Sequence, residues 1–177
     1  MHKKAFQLSW KKENQIGKIN KMLNDELIRE TLKSSKTIAM VGVSSVKKEV
    51  STNIKRRPSI IVMKYMQEFG YKVIPVNPFS VGEKVNGETI VEKLGDIKIP
   101  IDIVDVFRPS KDAPKIAKES VAIDAKVFWL QYGIESNEAK KIVEEKKIFY
   151  ISNKCIKQEY QKLFLKVSPV FPALKKN

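Results

Sequence analysis

The chain has one histidine, one cysteine and seven glycines in 177 residues, and each scarcity closes off some chemistry. The histidine is His2, on a basic N-terminal stretch, which argues against histidine triads, histidine metal ligands and a histidine proton shuttle. Cys155 stands alone, so the chain has no internal disulfide, and this fits a reducing, cytoplasmic setting. No apolar run approaches the roughly 20 residues of a membrane-spanning helix, and AFQLSW near the N-terminus is too short for a signal-peptide core. Arginine is scarce too. Of 34 basic residues, arginine supplies Arg29, Arg56, Arg57 and Arg108. Bidentate phosphate clamps and base-edge readout favour arginine over lysine. The net charge of +14, carried mainly by lysine in every segment, therefore reads as solvated surface without a sequence-specific nucleic-acid code.

What is present is organised around Thr37–Ser45, TIAMVGVSS. Its apolar residues run almost unbroken into Gly42, as expected of a strand buried on both faces of a parallel sheet. A glycine at the strand end lets the backbone turn sharply and leaves room for a ligand. The length predicts one domain with extensions: a basic segment over 1–21, a domain over 22–165 and an irregular tail over 166–177.

Along the chain, Asn24 is a candidate N-cap for a helix carrying Leu27, Ile28 and Leu32. After strand 1, residues 46–57 form a long Lys-rich loop. Pro58 suits a first helical turn, Ile61, Val62, Tyr65, Met66 and Phe69 form a helical stripe, and Gly70 is the expected helix stop. Tyr71–Val76 is strand 2, where Pro75 predicts one-sided or broken pairing. A short strand near Glu88–Val91 is followed by a buried strand over Ile101–Phe107. Asp102 and Asp105 interrupt that strand and, three apart, point to opposite faces. Ser110 or Asp112 caps the next helix. Val127–Leu130, a helix opened by Ser136, Ile148–Ile151 and a helix over Lys154–Leu165 complete the pattern. Alternating strands and helices predict an α/β fold: a Rossmann-like, doubly wound, mostly parallel five-stranded sheet flanked by helices. The order 3-2-1-4-5 puts the reversal beside strand 1, and the crevice there is the candidate site.

A dinucleotide is the first ligand to consider, but the G-x-G-x-x-G pattern and the ribose-binding acid after strand 2 are both missing; Gly42 stands alone and Asn77-Pro78 replaces the acid. KTIAMVGVSS, RRPSIIVMKYMQEFGYKVIPVNP, DIVDVFRP, AKVFWLQYGI and NKCIKQEY, together spanning most of Asn24–Leu163, resemble the single-domain CoA-binding proteins, which are similar to the CoA-binding domain of the succinyl-CoA synthetase α subunit. The resemblance implies that Gly42, Val43, Ser44 and Ser45 form a turn approaching the phosphates. It implies that Arg57, Pro58 and Ser59 supply a phosphate-binding helix start. Asn77 and Pro78 match the loop after strand 2, Phe107, Arg108 and Pro109 the segment packing against the nucleotide, and Gln131, Gly133 and Ile134 the fourth loop. The implied ligand is coenzyme A or an acyl-CoA. Two features depart from the family pattern: the loop before Arg57 is longer, with Lys47, Lys48, Lys55 and Arg56, and Tyr160 stands where the family commonly has His.

Neither a nucleophile–base pair nor a metal cluster is visible, so the expectation is a small-molecule nucleotide-binding protein without catalysis, a membrane partner or a specific nucleic-acid partner. An NAD(P)-dependent oxidoreductase or nucleotide sensor, and a nucleic-acid-binding module using the basic surface, remain the alternatives. Cys155 reads as buried, with an activated thiol as the competing reading, and Trp129 reads as core.

Overall fold

The computed structural model describes residues 19, 21–44 and 58–165. Ser45, Arg57, the Lys-rich stretch between them, most of the N-terminal segment and the tail 166–177 lie outside the described residues, together with the expectations placed on them. The chain divides into two compact units, Met1–Ser34 with Tyr160–Asn177, and Ser35–Glu159.

In the first unit, helix α1 covers 21–34. Asn24 lies inside it and is not its cap, because Lys21, Met22 and Leu23 are good helix formers and extend the helix upstream. Lys162 Nζ donates to Asp25 Oδ1 at 2.6 Å. The Arg29 guanidinium donates to the Leu163 carbonyl and lies over the Phe164 ring. One of the four arginines is thus spent on structure.

The second unit contains one parallel sheet. Its strands are β1 (Thr37–Val41), β2 (Lys72–Val76), β5 (Ile103–Val106), β6 (Val127–Leu130) and β7 (Phe149–Ile151). They pair in the order β2-β1-β5-β6-β7, every pair parallel. The expected reversal beside the first strand is present. The place beyond β2 is reduced to one parallel bridge, Val76 to Val91. The intervening residues form a separate antiparallel ribbon of β3 (Lys84–Val85) and β4 (Glu88–Thr89). Asn86 and Gly87 turn it with φ of 47° and 85°, the left-handed pair that a tight hairpin needs.

Pro75 sits in register with Met40 without breaking the β1–β2 ladder. Its carbonyl accepts from Val91 N at 3.0 Å, on the outer side. In a parallel strand the N and O of one residue face the same neighbour, so the missing N–H falls on the edge of the sheet, where it costs least. The pairing is one-sided, as the sequence predicts.

One sheet face, including Ala39, Val41, Val104, Val106, Phe128 and Leu130, belongs to a single core cluster with residues of α3 (Ala113–Ala122) and α4 (Asn137–Glu144). Helix α2 (Pro58–Glu68) buries Ser59, Val62, Met63 and Met66. The stripe is rotated from the expected one: Ile61 and Phe69 are exposed and Met63 takes their place. Gly70 ends the helix at φ 88°. Ser136 caps α4 by accepting from Ala139 N at 3.2 Å. Helix α5 spans Ile156–Phe164. Trp129 is fully buried, with its indole N–H on the Lys154 carbonyl at 2.6 Å. Among the described residues no helix is long and apolar enough to cross a membrane.

Candidate functional site

The strands β1, β2 and β5 end side by side, and their exits wall a cleft of about 480 Å³. Gly42 follows β1 with φ 92° and donates its N–H to Val76 O at 2.9 Å, which carries the β1–β2 ladder one residue further. On the far side Phe107 N donates to Val41 O at 2.8 Å. The glycine is thereby held between the two neighbouring strand exits.

A side chain at position 42 has no room. A Cβ there would lie 2.8 Å from Arg108 Cδ, 3.1 Å from Arg108 Cγ and 3.0 Å from the Phe107 carbonyl. The arginine stem lies directly over the glycine. Its head is turned to Asp112: Nε donates to Oδ2 at 3.1 Å and Nη2 approaches the same oxygen at 3.0 Å. Both partners are partly exposed, so this pair is accessible from solvent.

Asn77 fixes the loop after β2. Its Nδ2 donates to Val43 O at 2.8 Å and its Oδ1 accepts from Phe79 N at 3.0 Å. One side chain thus ties the β2 exit to the β1 exit and orients Phe79. That ring is 75% exposed and lines the cleft beside Pro78. Lys93, Lys111 and Lys115 join Arg108 on its walls, against the carboxylates of Glu92, Asp112 and Glu119.

Of the residues singled out from sequence, Gly42, Asn77, Pro78 and Arg108 line this cleft together. Val43 is fully buried. Ser44 N donates to Ser59 Oγ at 3.2 Å, which links the turn after β1 to the start of α2. Pro58 and Pro109 are exposed and Phe107 is half-buried. Gln131 points inward: it is buried, and its Nε2 donates to Asp105 Oδ1 at 2.6 Å. Gly133 N donates to Asn153 Oδ1 at 2.9 Å and Ile134 packs against the core cluster. Gln131, Gly133 and Ile134 do not line the cleft wall that Gly42 and Arg108 share.

Sequence reasoning missed Phe79, Lys93, Lys111 and Lys115 as cleft residues. Phe79 carried a signal, an aromatic directly after a polar Asn-Pro turn. Lys111 and Lys115 carried another, four apart at the start of a helix and so on one side of it. Lys93 carried none, since its place depends on the single bridge at Val91.

Asp105 is completely buried, and its Oδ2 has no hydrogen-bond partner among the described residues. Burial pushes its carboxyl up to about 7, against the opposing hydrogen bonds from Gln131 and the Val106 amide. Burial also raises the Cys155 thiol, and Asp105 adds to that shift. The activated-thiol reading of Cys155 is therefore not supported: desolvation outweighs the amides at the start of α5. Among the described residues no group of His, Cys, Asp and Glu is arranged to hold a metal ion.

Neither expected cap of α3 is used. Asp112 occupies the N-cap position with no side-chain bond to the helix, because its backbone is already helical (φ −85°, ψ −17°) and Pro114 in the first turn has no N–H to offer; its carboxylate accepts from Arg108. Ser110 Oγ accepts from Glu135 N instead.

A protein of Bacillus subtilis, YneT, is 42% identical over 130 residues, covering 73% of this chain and 89% of YneT. A solved structure from Thermus thermophilus (cell-free ID.343) superposes with a TM-score of 0.71 at 36% identity, covering 79% of this chain and 98% of that one. A Pyrococcus horikoshii OT3 protein gives 0.69 at 35% identity, covering 78% and 91%. The family described as CoA binding domain matches residues 36–161, which coincide within two residues with the unit Ser35–Glu159. With the fold, the glycine turn and the matched span in agreement, the chain belongs to the CoA-binding domain family.

Proposed function

We propose that the cleft binds coenzyme A or an acyl-CoA, and that the chain works as a cytoplasmic ligand-binding protein without a reaction of its own. The observation that carries this reading is Arg108 lying across Gly42 at the cleft mouth. An arginine packed over a glycine turn suits anions: the missing side chain at Gly42 leaves room for the arginine stem, and the guanidinium offers paired donors at the cleft. Phe79, with Pro78, offers the apolar face against which the adenine rests, at the edge of the same cleft. Lys93, Lys111 and Lys115 add positive charge for further phosphates. The turn residues Val43–Ser45, the helix start Arg57–Ser59, and Phe107 and Pro109 belong to the same proposed site, which holds the nucleotide end of the ligand.

Calorimetric titration of the full chain with CoA, acetyl-CoA, NAD and NADP tests the reading. The expected result is one CoA or acetyl-CoA per chain and no dinucleotide binding. Arg108→Ala should weaken CoA binding about ten- to a hundredfold, the range of a charged hydrogen bond, with little change in the unfolding temperature. Binding of NAD or NADP in place of CoA, or unchanged CoA affinity in Arg108→Ala, contradicts it.

A further inference from the structure

We propose that Asp112 is an internal competitor for Arg108: its carboxylate occupies the guanidinium edge that an incoming phosphate takes, and so sets the threshold for anion binding. The inference rests on the reading of the cleft as a phosphate-bearing ligand site, and it adds a residue that the resemblance does not assign.

Three observations converge. First, both contacts from Arg108 use the Nε–Nη2 edge and end on one oxygen, Asp112 Oδ2, at 3.1 and 3.0 Å. That edge presents two parallel N–H groups and is the geometry with which arginine grips phosphate oxygens. Second, Asp112 precedes α3 with helical backbone angles, φ −85° and ψ −17°, and makes no side-chain bond to the helix, so capping does not compete with the arginine for its carboxylate. Third, the pair fixes the arginine stem over Gly42, in the space where a ligand would approach the turn.

The energetics suit competition. Arg108 and Asp112 side chains are 42% and 30% exposed, so solvent screens the pair and it is weak. A carboxylate held this weakly yields to a polyphosphate, which brings more charge and more acceptor oxygens. It does not yield to a monoanion such as acetate. The arrangement favours multiply charged phosphate ligands without adding a contact to them.

The test is a double-mutant cycle on the full chain, with CoA and inorganic pyrophosphate as probes and calorimetry as the readout. Asp112→Asn should tighten CoA binding about fivefold, and in the Arg108→Ala background the same change should have no effect. Asp112→Ser removes the charge with a different, smaller polar side chain; it should tighten binding to the same extent and guards against a folding defect in the first variant. An equal gain in the Arg108→Ala background would overturn it, because the effect would then be general charge and not competition for the arginine. Unchanged or weakened CoA binding in both Asp112 variants would overturn it as well. Absence of CoA and pyrophosphate binding in the wild type and in every variant would refute it along with the underlying ligand reading, whereas wild-type binding with an unaltered Asp112 series refutes the competition alone.

Discussion

Gly42 concentrates the residue-scale argument. Its φ of 92° is in the left-handed region, and a Cβ would meet the Arg108 stem and the Phe107 carbonyl. Gly42→Ala should therefore lower stability by about 1–3 kcal/mol and displace Arg108, so that denaturant unfolding and CoA affinity both register the change. Asp105 gives the second test. Its carboxyl is raised from 3.8 to about 7 by burial. A group whose folded value lies above its unfolded one binds protons more tightly in the folded state. It stabilises fully below about pH 4, and that contribution fades as pH rises to 7. Asp105→Asn should flatten this part of the pH–stability curve, and the variant should gain on the wild type between pH 5 and pH 8, read by urea unfolding at each pH. A wild-type curve that rises over this range and is unaltered in the variant would contradict the assignment. Asp105 was legible as a polar break in an apolar strand. Its partner was not, because Gln131 is brought to it only by the β5–β6 register that sets Asp105 opposite Trp129.

At the scale of the elements, local chemistry was readable wherever it was self-contained. The apolar run of β1, the Gly70 stop and the Ser136 cap each depend on a few neighbouring residues, and each is where the pattern put it. Pro75 predicts one-sided or broken pairing; the ladder to β1 is intact, and the bridge at Val91 marks the side that is weakened. The cap of α3 fails for the opposite reason: the turn Ser110–Asp112 already holds Asp112 in helical backbone, and Pro114 in the first turn has no N–H. The α2 stripe was rotated because Val62, Met63 and Met66 compete with Ile61 and Phe69 for the buried face, and helical spacing alone does not decide between them. At the other end of the sheet, Asp102 joins elements that sequence reading left separate. It accepts from Lys36 N at 2.7 Å and Thr37 N at 3.1 Å at the start of β1, and from Lys126 Nζ at 2.6 Å. Burial opposes its ionisation, yet these bonds together hold it at about 2. Its stabilisation is present above about pH 4 and is lost as pH falls to 2. Asp102→Ala should cost about 1–3 kcal/mol, the penalty of stranded amide donors, while CoA affinity stays at the wild-type level, since the residue lies at the opposite end of β5 from the cleft.

For the whole molecule, alternation of strands and helices was enough to place the crevice, because a parallel sheet with right-handed crossovers leaves few topologies. It was not enough to choose which crevice loops share one wall. The fourth loop was grouped with the others by its position after β6, yet Gln131 turns inward. The third wall of the cleft comes from the turn Ser110–Asp112 and α3, which bring in Lys111 and Lys115. The charge of +14 also belongs at this scale. Dispersed lysine should give no more than weak association with DNA or RNA, falling steeply with salt and lost between about 50 and about 200 mM, while the proposed CoA binding, which relies on a shaped cleft as well as on charge, should persist. Filter binding and calorimetry over one salt series separate the two. The central claim is that the cleft takes coenzyme A, and native mass spectrometry of the full chain mixed with CoA and NAD in equal amounts tests it most directly. The account predicts a mass increase of one CoA or acyl-CoA per chain and none matching NAD; a dinucleotide adduct, or bare protein at saturating CoA, would contradict it.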